Sequence, residues 1–483
     1  MKTGFSQLAY SVCWNKVCCW SSRYLLIREY IWFAFFALPS YDATMHTNLG
    51  KDNLSSLLAK LSIPSMIALF SASLYTIADT IFLGRAVGAT ALAGLGFASP
   101  IQLFLVAFAQ LFGAGAASVI SRALGKGDQD RANRAFSTSA VTLLGVTAIF
   151  ALFFLTLPSL VLSWFGPQGQ TSEQALRYLS ALLPFTPFFT ASTFLSAMLR
   201  SEGKAGKALL LLLIGNTVNI VLDSFFILSL DLGIQGAALA TGSGHLVAVA
   251  YGLYALTGRK GTFSWKKPFF CLLREILPLG LPSWIRQVGT GAVIALVNSL
   301  LLTKAGSDAV ASYTLITQVT MLCYLPLSAL VMGFSPIAGY SYGSNNTKRL
   351  VSLLKLSITV QLALGLFILL GLQIFAAPIL TLFTKDATLV NATLTPLRIV
   401  LSTLMLVGIQ TLGASYFQSI GKSLVSLLLW TSRQFLLLIP LVLLLSTRFG
   451  SLGIWISFPL SDLLSVILTI AFLRRELHTL QKF

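Results

Sequence analysis

The chain has 483 residues, of which 56% are hydrophobic and only 10% charged, with a mean hydropathy of +0.83. A soluble domain carries about 25% charged residues, so most of this surface must face lipid. The net charge of +18 comes from 33 Lys and Arg against 15 Asp and Glu, but these basic residues sit in short loops between apolar runs with no stacking face, which excludes a nucleic-acid reader.

Residues 1–54 read as an N-terminal extension. Its apolar stretch, residues 30–38, covers only about 14 Å as a helix, and Arg28 and Glu29 interrupt the longer run. No small-residue cleavage site follows, as a signal peptide would need. Met45 is the expected start of the functional chain, with residues 1–44 a disordered or spurious extension; an interfacial amphipathic arm is the alternative. Cys13, Cys18, Cys19, Cys271 and Cys323 make no metal-ligand spacing and imply no disulfide framework.

Windows of roughly 20 apolar residues mark spanning helices, because about 30 Å of hydrocarbon needs that length. They fall at 60–83, 92–117, 135–157, 175–199, 207–229 and 234–256, then at 276–303, 309–333, 351–372, 391–417, 424–445 and 452–473. The chain thus predicts an all-α integral membrane fold of twelve transmembrane helices: a six-helix bundle over 55–258, a basic loop over 259–275, a second six-helix bundle over 276–473 and a tail over 474–483. Lys and Arg crowd the loops after the even-numbered spans, as with Arg122, Lys126, Arg131 and Arg134, or Arg259, Lys260, Lys266, Lys267 and Arg274. They are scarce in the odd-numbered loops, which places both termini in the cytoplasm.

The two bundles are related. A shift of 218 residues carries Pro64-Ser65 onto Pro282-Ser283, Gly88, Ala91 and Ala93 onto Gly306, Ala309 and Ala311, and Gly115 onto Gly333. The same shift carries Gly125 onto Gly343 and Gly203-Lys204 onto Gly421-Lys422, and it slips to 217 at Gly233 and Gly236. One offset held over so long a stretch means duplication. Six spans per half give both halves the same orientation, related by a pseudo-twofold axis along the membrane normal with a cavity between them.

An Asp at the bilayer centre costs about 2.5–3.5 kcal/mol on insertion scales, so each one asks for a reason. Asp79 in span one and Asp223 in span five lie at similar depth, roughly 8–9 Å below the outer helix ends. Tyr75 precedes Asp79 by one helical turn, Asn219 precedes Asp223 by one, and Thr241 in span six reaches the same level. Two neighbouring carboxylates cannot both ionise cheaply, so this cluster is a candidate proton acceptor or, with its other oxygens, a Na⁺ site; helix packing is the plainer alternative. At the 218 offset Asp79 meets Val297 and Asp223 meets Leu441, which confines the coupling chemistry to the first half. Arg286, Arg398, Arg433 and Asp462 are expected to be buried charges of the second half. Arg433 and Asp462 either pair or line the cavity, and His245, one turn from Thr241, either joins the proton path or is a satisfied hydrogen-bond partner. Pro64 and Pro282 are expected to kink spans one and seven, as hinges or as static bends.

Together, Pro64…Tyr75-x-x-x-Asp79-Thr80…Gly84, Gly125-Lys126-Gly127-Asp128, Arg200-x-x-Gly203, Asn219-x-x-x-Asp223 and Gly233-x-x-Gly236-Ala237-Ala238-x-Ala240-Thr241 resemble the multidrug and toxic compound extrusion (MATE) family. The resemblance covers roughly residues 55–475, and Arg433 before Ile439-Pro440 and Pro459 before Asp462 look like its DinF-like branch, which commonly has Glu at the Asp462 position. It implies a V-shaped pair of bundles in a bacterial inner membrane, working as a monomer without an enzyme's chemistry or a bound cofactor. Such a protein exports cationic or amphipathic small molecules in exchange for H⁺ or Na⁺. In that family Tyr75, Asp79, Asn219, Asp223 and Thr241 would form the cation site, and Pro64 would be a bending point. Sodium-coupled relatives of the NorM branch carry an acid in span seven; this span has Arg286, Gln287 and Asn298 instead, which favours protons. The rival reading is a lipid-linked precursor flippase, which twelve spans and a two-acid site disfavour.

Overall fold

A computed structural model describes residues 47–86, 89–156, 170–259 and 261–480; the extension 1–44, Gly88 and Lys260 lie outside them. Among the described residues, ten helices are long and apolar enough to cross a membrane, and a pair bent by 43° makes an eleventh span. The last of the ten, Ser423–Leu480, has 58 residues, and its backbone reverses at Gly450 with φ 58° and ψ −136°. At 1.5 Å per residue it would be roughly 87 Å long against a core of about 30 Å, so it holds two spans. Twelve result.

Spans one to three are Leu54–Ala86, Ala89–Gly125 and Gln129–Thr156. Span four, Gln170–Ser201, is interrupted by a tight turn at Leu183–Phe185, where Pro184 cannot donate. Span five, Ala205–Asp223, runs on as a π turn over Ser224–Ser229, and span six is Gly233–Thr257. Spans seven to nine are Leu273–Ala305, Ser307–Gly343 and Thr347–Thr381. Span ten is the bent pair Ala387–Leu401 and Leu404–Ser419. Span eleven starts as Ser423–Thr431, passes through a π turn at Ser432–Leu438 and continues in Ile439–Leu480, which the break at Gly450 divides from span twelve. Each predicted span falls on one of these helices.

Lipid offers the backbone no partners, so every polar group must be satisfied within the helices. Hydroxyls follow suit by bonding the carbonyl one turn back, as Ser65 does to Leu61 and Thr147 to Leu143, each at 2.8 Å. At the loop ends, Asn346 caps span nine by accepting from Arg349 N at 3.0 Å, and Asp386 caps span ten by accepting from Thr388 N at 2.9 Å.

The core shows how the halves are tied. The first residues of span one, Leu57, Leu58 and Leu61, are buried among spans eight, nine and ten, in the other half. Further along, Leu83 and Tyr75 pack against spans two, four and five, in their own half. Span seven mirrors this: Ile276 and Leu279 pack into the first half, then Val293, Val297 and Leu301 into the second. Spans one and seven are therefore straps that start against one half and finish in the other. Pro64 and Pro282 lie in the stretch between the two packings. Span one nevertheless runs as one unbroken helix through Pro64.

Close approaches between halves cluster toward the end of the molecule that bears the basic loops. A methyl group on Gly125 would strike the Tyr340 carbonyl, and one on Gly343 would strike the Arg122 carbonyl. Both contacts obey the 218 offset at each partner, so spans two and eight meet reciprocally, as two related halves facing across a pseudo-twofold axis must. Ser118 Oγ donates to the Gln418 carbonyl at 2.6 Å beside them. Glu275, at the start of span seven, binds Arg122 at 3.0 Å and Arg131 at 2.5 Å from the other half.

Candidate cation site in the first bundle

Span one brings Tyr75 and Asp79 to the face that meets span five, and span five supplies Asn219 and Asp223 one turn apart. The Asp79 and Asp223 carboxyl groups lie at hydrogen-bonding distance of each other. Asp223 is fully buried and Asp79 half-buried. Asn219 Nδ2 donates to Thr241 Oγ1 at 3.1 Å, and the Tyr75 hydroxyl lies near the same threonine. The five residues singled out in the sequence therefore form one cluster joining spans one, five and six.

Two members escaped the sequence reading. Tyr178 of span four sits close enough to both acids and to Tyr75 to feel their charge, and its hydroxyl accepts from Gln102 Nε2 of span two at 2.9 Å. Gln102 is an uncharged polar residue well inside an apolar run, and that was the available signal. Tyr178 carried none, since a tyrosine in a helix is usually packing.

The balance of donors and acceptors defines what the cluster lacks. Asp79 Oδ1, both Asp223 carboxylate oxygens and Asn219 Oδ1 are buried with no donor in reach among the described residues. Two full charges about 4 Å apart repel by about 4 kcal/mol at an effective dielectric of 20. A proton shared by the carboxyls, or a cation among these oxygens, removes that repulsion. Carboxylate, amide and hydroxyl oxygens suit either H⁺ or a hard cation such as Na⁺. The π turn begins at Ser224, directly after Asp223; such turns loosen the helical ladder and recur at functional positions.

Elsewhere the sequence candidates take separate places. Arg433 Nε donates to Asp462 Oδ1 at 2.6 Å, and its NH2 donates to the Tyr324 hydroxyl at 2.7 Å. Thr403, at the bend of span ten, donates to Asp462 Oδ2 at 2.8 Å. This ion pair ties four spans of the second bundle, and Arg433 lies within its π turn. His245 Nδ1 meets Ser192 Oγ at 2.9 Å and its ring stands edge-on to Phe189 at 4.5 Å, so its observed partners are on span four. Arg286 lies over the Trp430 ring at 5.1 Å. Arg398, expected to be buried, is exposed and donates to the Gln373 carbonyl at 3.4 Å. That contact lies beside a local distortion of span nine, which leaves helical geometry at Phe375 and carries Pro378.

Known proteins match along the same lines. Relatives include the multidrug export protein MepA of Staphylococcus haemolyticus, 27% identical over 81% of this chain and 87% of that one, and MepA of Staphylococcus saprophyticus, 26% identical over 87% and 94%. Among solved structures, MATE in the bent conformation superposes with a TM-score of 0.85 at 26% identity, covering 90% of this chain and 98% of that one. An outward-facing multidrug resistance MATE family transporter of the MOP superfamily superposes at 0.84 and 25% identity, covering 92% and 100%. The MatE family model matches residues 64–225 and 287–444, one stretch in each bundle, and the chain belongs to the multidrug and toxic compound extrusion family.

Proposed function

We propose that this protein exports amphipathic small molecules across a bacterial inner membrane, driven by cations that enter at Asp79 and Asp223. The observation that carries the reading is the buried carboxyl pair with more acceptors than donors around it. Loading the pair with a cation relieves the repulsion and lets span one pack differently on span five. Because span one also begins against the second bundle, that repacking acts directly on the joint between the halves. The basic end, closed by Gly125, Gly343 and the Glu275 ion pairs, faces the cytoplasm by the positive-inside rule. The arrangement corresponds to an outward-facing state.

Protons are the favoured coupling ion, because span seven offers no acid; Na⁺ is the alternative. One charge moving through 100 mV supplies about 2.3 kcal/mol, and a tenfold proton gradient adds about 1.4 kcal/mol. Together these sustain a few-hundred-fold outward gradient of a neutral compound. Proteoliposomes with separately imposed H⁺ and Na⁺ gradients test the reading: ethidium export should follow the H⁺ gradient and collapse in Asp79→Asn and Asp223→Asn. Normal export by both variants would overturn the site assignment.

A further inference from the structure

Where spans seven and eleven meet, the second bundle holds buried donors without partners, beside one unpaired acceptor, Gln434 Oε1. Arg286 Nε, Trp430 Nε1 and Trp284 Nε1 are buried donors with no acceptor among the described residues. No carboxylate faces Arg286 there; Glu275, the nearest acid along its own helix, is already held by Arg122 and Arg131. The guanidinium lies over the Trp430 ring, and one turn further along the same two helices Gln434 Nε2 donates to Thr290 Oγ1 at 3.3 Å. Spans seven and eleven thus meet in two successive polar rungs. The corresponding place in the first bundle is dry: at the 218 offset Arg286 becomes Ala68 and Trp430 becomes Leu212, which pack together with Leu209 and Leu213. A duplication that kept an apolar joint in one half and placed a cation in the other has specialised that half.

We infer that Arg286 and Trp430 form a binding site for the acidic group of aromatic, anionic or zwitterionic substrates, distinct from the cation site of the first bundle. An arginine lying over a ring keeps its in-plane N–H fork free for a carboxylate or sulfonate, and the Trp430 indole gives the substrate's ring an aromatic neighbour. The inference extends the export reading by naming a substrate class that a cation-only pump would not take.

Binding of 1-pyrenesulfonate and of 1-pyrenemethylammonium to the full chain in phosphatidylcholine nanodiscs, with no ion gradient, tests it. The two probes share one ring system and differ in charge. Wild type should prefer the sulfonate; Arg286→Gln should weaken sulfonate binding roughly tenfold or more, the loss of a charge-assisted hydrogen bond, without weakening the amine. Arg286→Lys should fall between the two, and Trp430→Phe, which keeps a ring but loses the indole N–H, should weaken the sulfonate a few-fold. Equal affinity of wild type for both probes, or an equal loss of both in Arg286→Gln, overturns the proposal. So does tenfold competition by phosphatidylglycerol in the nanodisc, which would assign the site to a lipid headgroup. Because no gradient is applied, failure of cation coupling leaves this readout untouched.

Discussion

Glu275→Gln is the sharpest perturbation of the joint between the bundles. Glu275 holds Arg122 at 3.0 Å and Arg131 at 2.5 Å, with side-chain exposures of 30% for the acid, 17% for Arg122 and 46% for Arg131. A hydrogen bond to a charged group contributes about 1.5–3 kcal/mol when buried, and partial exposure brings the Arg122 pair to about 1–2 kcal/mol. The nearly half-exposed Arg131 adds at most about 0.5 kcal/mol. Both contacts pin the first turn of span seven, the strap that runs on into the second half, against spans two and three beside the Gly125 and Gly343 closure, and their loss should favour opening by about 2 kcal/mol, or 10- to 30-fold in population. Lys126 and Ser344 are exposed, sit one on each half and correspond at the 218 offset. Nitroxide labels at these two positions, in a chain lacking its native cysteines, should report the change as growth of a long-distance population. Asp130→Asn is the control, because Asp130 pairs with Arg134 and Lys266 and bridges nothing to the second bundle. A shift below threefold in Glu275→Gln, or an equal shift in the control, would refute the reasoning.

Other substitutions test the remaining joints. Asp462→Asn strands the buried Arg433 cation and should cost about 3–5 kcal/mol of stability, read as a fall in the melting temperature; replacing both partners with apolar residues of similar size should recover most of it. Gly343→Ala drives a methyl into the Arg122 carbonyl, which should cost about 1–3 kcal/mol as overpacking and should lower disulfide cross-linking between cysteines placed at Lys126 and Ser344. Glu202, in the loop between spans four and five, is buried, and burial raises its carboxyl above the ordinary 4.5 despite the Lys204 ammonium 2.5 Å away. The folded chain therefore holds that proton more tightly than the unfolded one, and stability falls as the pH climbs from 4.5 through the raised folded value. The melting-temperature advantage of Glu202→Gln over wild type should accordingly grow between pH 5 and pH 8.

Apolar length and the repeat were legible because lipid leaves the backbone so few options. A helix must be long, uncharged and internally bonded, and the twelve runs met that test without tertiary information. The acids were legible for the converse reason, since a carboxylate in an apolar run is costly and the i,i+4 spacing of Tyr75 with Asp79 and of Asn219 with Asp223 puts each pair on one face. What could not be read is what depends on partners far along the chain. Tyr178 joins the cluster only because span four packs across spans one and five, and Arg433 and Asp462 find Tyr324 and Thr403 on spans whose register no local pattern sets. Arg398 was misread because an apolar neighbourhood in sequence says nothing of a distorted helix beside it. The π turns left no mark either, though both fall at a buried charge.

That coincidence bears on how the two bundles divide the work. Each fifth helix of a half leaves regular α geometry at its charged residue, after Asp223 in one and around Arg433 in the other. The charges differ in how they are answered. Arg433 is matched by Asp462 and Tyr324, and Asp462 in turn by Thr403, so this charge leaves its joint nothing to gain by rearranging. Asp223 faces another acid with no donor among the described residues, so under the proposed coupling its bundle gains a lower-energy arrangement when a cation arrives. A switch needs one element whose two states are close in free energy and a frame that does not yield. With spans one and seven strapping the halves together, the proposed coupling makes the first bundle the switch and the second the frame it pushes against.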